Sequence, residues 1–330
     1  MKHWAQPLVN LVEKISAGKR SRRKQVKLAL ARRVIILLNR FYDPLVTLDF
    51  GSTRIVASLS HDAVFWRVVH PQMNRNFGRL AAFAVAERPT GTIIDVGANI
   101  GDGIALLRGV GISADVFAVE GSPKFLRVLQ QNKAKLEPVT IYPQFVGDYP
   151  RFVGDGRVEQ YQLVSFTSSA HLRPSPDGDV SGTTLRPLDE AAAHLSSVSV
   201  LKVDTDGFDF AILRGAAGII DRDRPVIFLE WEPYLIFRSG ESIVDFLRSF
   251  RHRGYRDAIV WDNLGTLLCS ISLDDVELFS QLSFYFFGDE TRPYVDLAIY
   301  HEQDGELFKK TLDAEIKHFQ AILRNEGVLS

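Results

Sequence analysis

Four runs of this 330-residue chain, TIIDV (92–96), DVFAVE (115–120), VSVLKVD (198–204) and PVIFLEW (225–231), are almost wholly apolar, and each carries a carboxylate at or beside its C-terminal end. A strand with no polar alternation has no face to offer water, so such runs belong to a parallel sheet covered by helices on both sides. Helical patterns lie between them. IALLRGV follows the first run, SPKFLRVLQQNKAKL (122–136) the second and DFAILRGAAGII the third. In the second helix Ser122 is placed as N-cap and Pro123 at the first helical position. SIVDFLRSFRHRG (242–254) reads as a helix closed by its glycine. VTIYPQFV (139–146) reads as a further strand and VDLAIYHE (295–302) as the last one, before a helix from Leu307. RDAIVWD (256–262) and GTLLCSI (265–271) read as a hairpin about Asn263-Leu264. With right-handed crossovers, this alternation predicts an α/β fold with a doubly wound, mostly parallel, seven-stranded Rossmann-like sheet. Ligands of such sheets bind beyond the carboxyl ends of the strands, here residues 95–103, 120–122, 144–148, 204–209 and 230–234.

The chain ahead of residue 91 is of another kind. Residues 7–40 read as helix, and LVTLDF (45–50) and TRIVASLS (53–60) as a hairpin about Gly51-Ser52. The sequence thus divides into a basic N-terminal helix and hairpin over 1–90, a main domain over 91–302 and a C-terminal helix over 303–330. RPSPDGDVSG (173–182) reads as loop. Residues 1–40 hold eleven Lys and Arg against one acid, Glu13, although the whole chain has a formal charge of −1. A basic segment on an acidic body implies an anionic partner for that segment alone. Its longest apolar run, VIILL (34–38), is too short for a secretory core or a membrane span, so a soluble, cytoplasmic protein is expected. One cysteine, Cys269, excludes an internal disulfide, and no two histidines have the local spacing of a metal site.

The glycine-rich turn DVGANIGDG (95–103) admits two readings of nucleotide type. A dinucleotide fingerprint counted from Gly97 requires glycines where Asn99 and Asp102 stand. Asn99 puts a side chain where backbone must approach a pyrophosphate, and Asp102 puts negative charge at the helix N-terminus that would hold it. S-adenosylmethionine has no phosphate and fits better. Asp95 suits its amino group through a charge-assisted hydrogen bond, and Gly97 and Gly101 let the backbone approach its amino-acid portion. Glu120, 23 residues after Gly97, is spaced to accept from both ribose hydroxyls. The plainer reading of the same residues is a tight β–α turn with a solvated acid.

A second acidic group lies downstream. LKVDTDGFDFAILRGA (201–216) places Asp204 at a strand end with Asp206 and Asp209 in the next turn, and FLEWEP (228–233) adds Glu230 and Glu232. Capping or solvation accounts for any one of them; five near one sheet edge exceed what a helix cap needs.

Taken together, IIDVGANIGDG (93–103), VFAVEGSPKFLRVLQQN (116–132), TTLRPLDE (183–190), LKVDTDGFDFAILRGA and FLEWEP resemble the FkbM family of S-adenosylmethionine-dependent methyltransferases. The resemblance spans residues 93–233, with a weaker tail in GYRDAIVWDNLGTLL and VDLAIYHE to about residue 302, and does not reach residues 1–60. It implies a class I methyltransferase fold and methyl transfer to a hydroxyl of a sugar, a glycan such as lipopolysaccharide, or a natural product. It implies that Asp95, Gly97, Ala98, Asn99 and Gly101 line the methionine end of the cofactor and that Glu120 and Gly121 hold its ribose. Phe145, Val146 and Asp148 would border the adenine, and Asp204, Asp206 and Glu230 or Glu232 would face the acceptor. In two places the chain departs from the family: Asp209 stands where Glu is commoner, and Phe145 where a small residue is usual.

An alcohol acceptor must lose its proton, and Asp204 or Asp206 is the candidate base. A divalent cation held by the same carboxylates is an alternative way to acidify the hydroxyl. Two other classes stay open: a non-catalytic, cofactor-binding assembly subunit, and an NAD-dependent sugar-modifying enzyme. Nucleic acid is not an expected partner. DTDG stands where amine-directed nucleic-acid methyltransferases carry Asn/Asp-Pro-Pro-aromatic, and the body of the protein has the wrong sign for a phosphate backbone. The basic residues 14–33, including GKRSRRKQVK (18–27), read as a solvated helix face, a disordered arm or a docking segment for an anionic membrane surface, with RNA as the remaining option for this segment alone. Trp66 and Phe77 read as core or as a lid on the cofactor. The sequence sets no oligomeric state.

Overall fold

The computed structural model describes residues 5–16, 22–39, 41–149, 161–165, 168–174, 183–287, 294–325 and 328. The N-terminal part consists of helices α1 (Gln6–Ser16) and α2 (Arg22–Asn39), the hairpin β1 (Leu45–Asp49) and β2 (Arg54–Ser58), and helices α3 (Ala63–Val69) and α4 (Arg75–Glu87). The alternating part opens with β3 (Thr92–Val96), α5 (Asp102–Gly109), β4 (Val116–Val119), α6 (Pro123–Leu136) and β5 (Val139–Tyr142). Short pieces follow: β6 (Val146–Gly147), β7 (Tyr161–Ser165), β8 (Ala170–Pro174), β9 (Arg186–Pro187) and α7 (Leu188–Ala191). The alternation resumes with β10 (Val198–Val203), α8 (Asp209–Arg214), α9 (Ala217–Asp223), β11 (Val226–Trp231), α10 (Pro233–Arg238) and α11 (Ile243–His252). It ends with β12 (Tyr255–Asp262), β13 (Leu267–Ser272), α12 (Val276–Phe287), β14 (Val295–His301) and α13 (Gly305–Asn325).

The main sheet has the order β13-β12-β14-β11-β10-β3-β4-β5. Neighbours from β11 to β5 are parallel, while β14 runs antiparallel to both β11 and β12. Every residue of β10, β11 and β14 is buried, which is why these runs are so apolar. The sheet has eight strands where seven are expected, because β13 pairs along β12 as the returning arm of the hairpin. Strand 139–146 is shorter than expected: β5 stops at Tyr142, before Pro143, whose nitrogen cannot donate to a ladder, and Val146–Gly147 pair instead with Arg186–Pro187. The helix expected over 7–40 is divided into α1 and α2. Of the loop expected over 173–182, Arg173 and Pro174 end β8 and residues 175–182 lie outside the described residues.

Two apolar cores lie on the two faces of the sheet. One packs the N-terminal helices and hairpin together with α4, α5, α6 and α13; the other packs α7, α8, α9, α11 and α12. Buried Asn132 of α6 locks the hairpin in place. It accepts from Val56 N–H at 2.8 Å and donates to the carbonyls of Val56 and Ile100, each at 2.9 Å. The C-terminal helix α13 is tied down by buried Glu315, which accepts from Arg79 at 2.7 Å and from the Trp261 indole N–H at 2.8 Å.

The chain winds from β3 outward to β5, then returns to the other side of β3 to lay down β10 and β11. This reversal opens a crevice at the carboxyl ends of β3 and β10, the position where such sheets bind ligands.

Candidate active site

At that crevice the carboxyl ends of β3, β4, β10 and β11 and the amino end of β14 surround a cavity of about 450 Å³, within the range of small-molecule sites. The central contact follows from register. Lys202 of β10 is the Cα partner of Asp95 on β3, so both point to the same side. Asp204 lies two residues further on and shares that side. The Lys202 ammonium bridges Asp95 Oδ1 and Asp204 Oδ2 at 3.0 Å each. Burial alone lowers the Lys202 pKa, but the two carboxylates outweigh it and hold the value above the ordinary lysine range. Asp95 is fully enclosed; burial raises its pKa against the pull of Lys202. Its second oxygen, Oδ2, is buried with no hydrogen-bond partner among the described residues.

The turn after β3 is shaped by what it must approach. Gly97 has φ +83°, and a Cβ there would lie 2.0 Å from the Asp204 carbonyl oxygen. Only a glycine lets the ends of β3 and β10 come together. Asn99, at φ +51°, donates its backbone N–H to Glu120 Oε2 at 2.8 Å. Ser122 N–H donates to Glu120 Oε1 at 2.7 Å. Glu120 is therefore clamped by one donor on each oxygen, which leaves each with capacity to accept again. Burial pushes its pKa up to about 7 despite those bonds. Gly121 makes room for an aromatic wall: a Cβ there would meet the Phe145 ring at 2.4 Å. Ala98 and Val146 complete this side.

On the other side of Lys202 lies a group of carboxyls. Glu230 on β11 is the Cα partner of Asp296 on β14, and both line the cavity. Burial, then the charges of Asp204, Asp206 and Asp209, keep Glu230 protonated well above the ordinary range. Tyr294 hydrogen-bonds to it. Asp296 accepts from Asn76 of α4 at 2.8 Å and is pushed up to about 7, chiefly by burial. Asp206, at φ +53°, also lines the cavity and is pushed up to about 8, first by burial and then by Asp204, Asp209 and Glu232.

The candidate residues read from the sequence divide in two. Asp95, Gly97, Ala98, Asn99, Glu120, Gly121, Phe145, Val146, Asp204, Asp206 and Glu230 share the cavity wall. Gly101, Asp148 and Glu232 lie off it. Gly101 is the N-cap of α5, and a Cβ there would strike Leu129 and Leu136 of α6. Asp148 is engaged by Arg214 at 2.7 Å. Glu232 precedes Pro233 at the start of α10 and acts on the site through its charge near Asp206. Asp209 accepts from the N–H groups of Thr205 and Gly207 and so braces the turn that carries Asp206. Among the described residues, no group of three or more His, Cys, Asp or Glu side chains has the geometry to hold a metal ion.

Sequence reasoning missed Lys202, Asp296 and the contribution of the N-terminal part. The signal for the first two was present: a charged residue inside an otherwise apolar buried run, VSVLKVD or VDLAIYHE, must have a partner. His61 gave no such signal. Ala63 N–H donates to its Nδ1 at 3.2 Å, which leaves Nε2 to donate to Asn99 Oδ1 at 3.2 Å. Asn99 in turn donates through Nδ2 to the Ser168 carbonyl at 2.8 Å. Trp66 lines the cavity, and Phe77 is both core and cavity floor.

A sheet that reverses its order beside the glycine turn, with one antiparallel strand inserted next to β11, is the Rossmann-like fold of class I methyltransferases. Residues 95–256 match the family model of the methyltransferase FkbM domain, and the chain carries an FkbM-family methyltransferase domain over that span. Among solved structures it resembles a methyltransferase FkbM from Methylobacillus flagellatus, at 18% identity and a TM-score of 0.34. That alignment covers 52% of this chain and 40% of the other, so this chain spans less than half the length of that relative. It also resembles fibrillarin from Aeropyrum pernix, solved with S-adenosyl-L-methionine, at 11% identity and a TM-score of 0.34, over 78% and 83% of the two chains. Fibrillarin from Methanococcus jannaschii gives 10% identity and a TM-score of 0.36, over 79% and 84%. No curated protein matches the sequence.

Proposed function

We propose that the protein transfers a methyl group from S-adenosylmethionine to a hydroxyl of a sugar, glycan or natural-product acceptor. The observation that carries this reading is the buried, unpartnered Oδ2 of Asp95 on the cavity wall. An oxygen in that position calls for a donor, and the cofactor's ammonium is one of the right charge. Glu120 has one free acceptor position on each oxygen for a ribose diol, and Phe145 supplies an aromatic surface beside it. The pyrophosphate of NAD would instead meet Asp95, Asp102, Asp204 and Asp206 around the same cavity.

The cofactor, when bound, supplies a methyl group on a sulfonium leaving group. The chain's own residues align the acceptor, exclude water and take its proton. Phe77, Phe145, Phe208 and Phe228 give the cavity apolar wall between its carboxyls. Asp206 is the base. A carboxyl pushed up to about 8 accepts a proton far more readily than an ordinary aspartate and still ionises near neutral pH. Asp204, paired with Lys202, contributes negative charge that raises Asp206, and Asp209 braces the turn that carries it.

The test is turnover against pH with a panel of saccharides and lipid-linked glycans, with the methylated product read by mass. Turnover rises through about pH 8 as Asp206 ionises. Asp206→Asn, which tolerates the positive φ, lowers turnover by about 10²–10⁴-fold and leaves S-adenosylhomocysteine affinity unchanged. Asp204→Asn moves the inflection to lower pH, since one negative neighbour is gone. Wild-type turnover in Asp206→Asn removes the assignment of the base, and methylation of a nitrogen or carbon acceptor overturns the reaction class.

A further inference from the structure

Helix α2 meets the rest of the protein along one narrow seam. Leu28 and Ile35 are buried there against α1, with Ala31 half-buried between them. The opposite side carries Val26, Leu30, Val34 and Leu37, spaced i, i+4, i+8 and i+11, which is one face of a helix. That face is open: Val26 is 63% exposed, Leu30 62% and Leu37 56%. Phe41, just beyond the helix, is 83% exposed. Arg22, Arg23, Lys27 and Arg33 are exposed on the same half of the helix, and α2 contains no acidic residue. Leu30 and Val34 also form one wall of an apolar groove of about 360 Å³, whose other wall is Leu8, Leu11 and Ile15 of α1.

A stripe of exposed aliphatic side chains has no reason to face water, and cations alone do not need it. The two together match a surface that is anionic at its rim and apolar beneath. We propose that α2 docks in the plane of an anionic lipid bilayer, with Val26, Leu30 and Leu37 among the acyl chains and the four cations on headgroup phosphates. No helix among the described residues is long and apolar enough to cross a membrane, so α2 lies on the bilayer. The docking bears on the active site. Arg32, on the flank of α2, stacks over the Trp66 ring at 4.9 Å, and Trp66 lines the cavity. The contact ties the docking helix to a residue of the cavity wall.

The test uses the whole protein and no methyl transfer, so it stands apart from the reading of the active site. The protein is sedimented with vesicles of phosphatidylcholine alone and with vesicles in which about one third of the lipid is phosphatidylglycerol. Two variants accompany it: Arg22→Glu/Arg23→Glu/Lys27→Glu/Arg33→Glu, and Val26→Ser/Leu30→Ser/Leu37→Ser. All the replaced side chains are exposed, so the thermal midpoint stays where it is. The expected result is sedimentation with anionic vesicles only, weakened about tenfold or more by each variant. Absence of binding to anionic vesicles, or wild-type binding by both variants, overturns the proposal. So does a lipid-free dimer in light scattering that the serine variant dissolves, which assigns the stripe to a second copy of the chain.

Discussion

Glu120 is held by two backbone donors, yet it sits where burial keeps its proton until about pH 7. A protonated carboxyl has lost one acceptor position and its charge, so it holds a diol less well. Affinity for S-adenosylhomocysteine therefore falls as the pH drops from 8 through 7, by about tenfold for each unit below the transition. In Glu120→Gln affinity is low and flat across that range. Calorimetry at several pH values reads both outcomes; a flat wild-type profile contradicts the role given to Glu120. Burial raises Asp95 as well, there against the opposing charge of Lys202.

At the scale of elements, the site depends on how closely β3 and β10 approach at their ends. Gly97→Ala puts a methyl group into the Asp204 carbonyl and onto a positive φ, so the turn must open. The cost is about 2–4 kcal/mol, read as a lower denaturant midpoint together with weakened ligand binding. Unchanged stability in that variant would mean the two strand ends have room that the structure does not give them. The β–α rhythm was legible because runs buried on both faces are apolar throughout, and the strand-end acids were legible because they interrupt those runs. The pairings between them were not. Asn76 and Asp296 are 220 residues apart, and His61 and Asn99 38 apart, with no local pattern that links them. The N-terminal hairpin looked like an appendage, since only the folded chain shows Asn132 binding it to the glycine turn. The division of 7–40 into two helices was equally hidden, because its composition favours helix throughout.

For the whole molecule, a cavity walled by carboxyls has a consequence for stability. Glu120, Asp209 and Asp296 are raised to about 7 and Asp206 to about 8, against about 4 in an unfolded chain. Between those limits the folded protein binds more protons than the unfolded one. The stability they confer is full below about pH 4 and is lost as pH rises through 7 to 8. The ligand-free protein should thus melt at a higher temperature at pH 5.5 than at pH 8.5, and Asp206→Asn should narrow the gap. A midpoint that rises with pH across this range contradicts the burial of these groups.

The most direct test of the central claim is calorimetric titration at pH 8 with S-adenosylhomocysteine and, separately, with NAD. The variant Glu120→Ala serves as control, with its fold checked by thermal melting. Dissociation constants on the order of micromolar for S-adenosylhomocysteine, binding lost in the variant, and no heat from NAD are the predicted result. Binding of NAD, or no binding of S-adenosylhomocysteine by the folded wild-type protein, contradicts it.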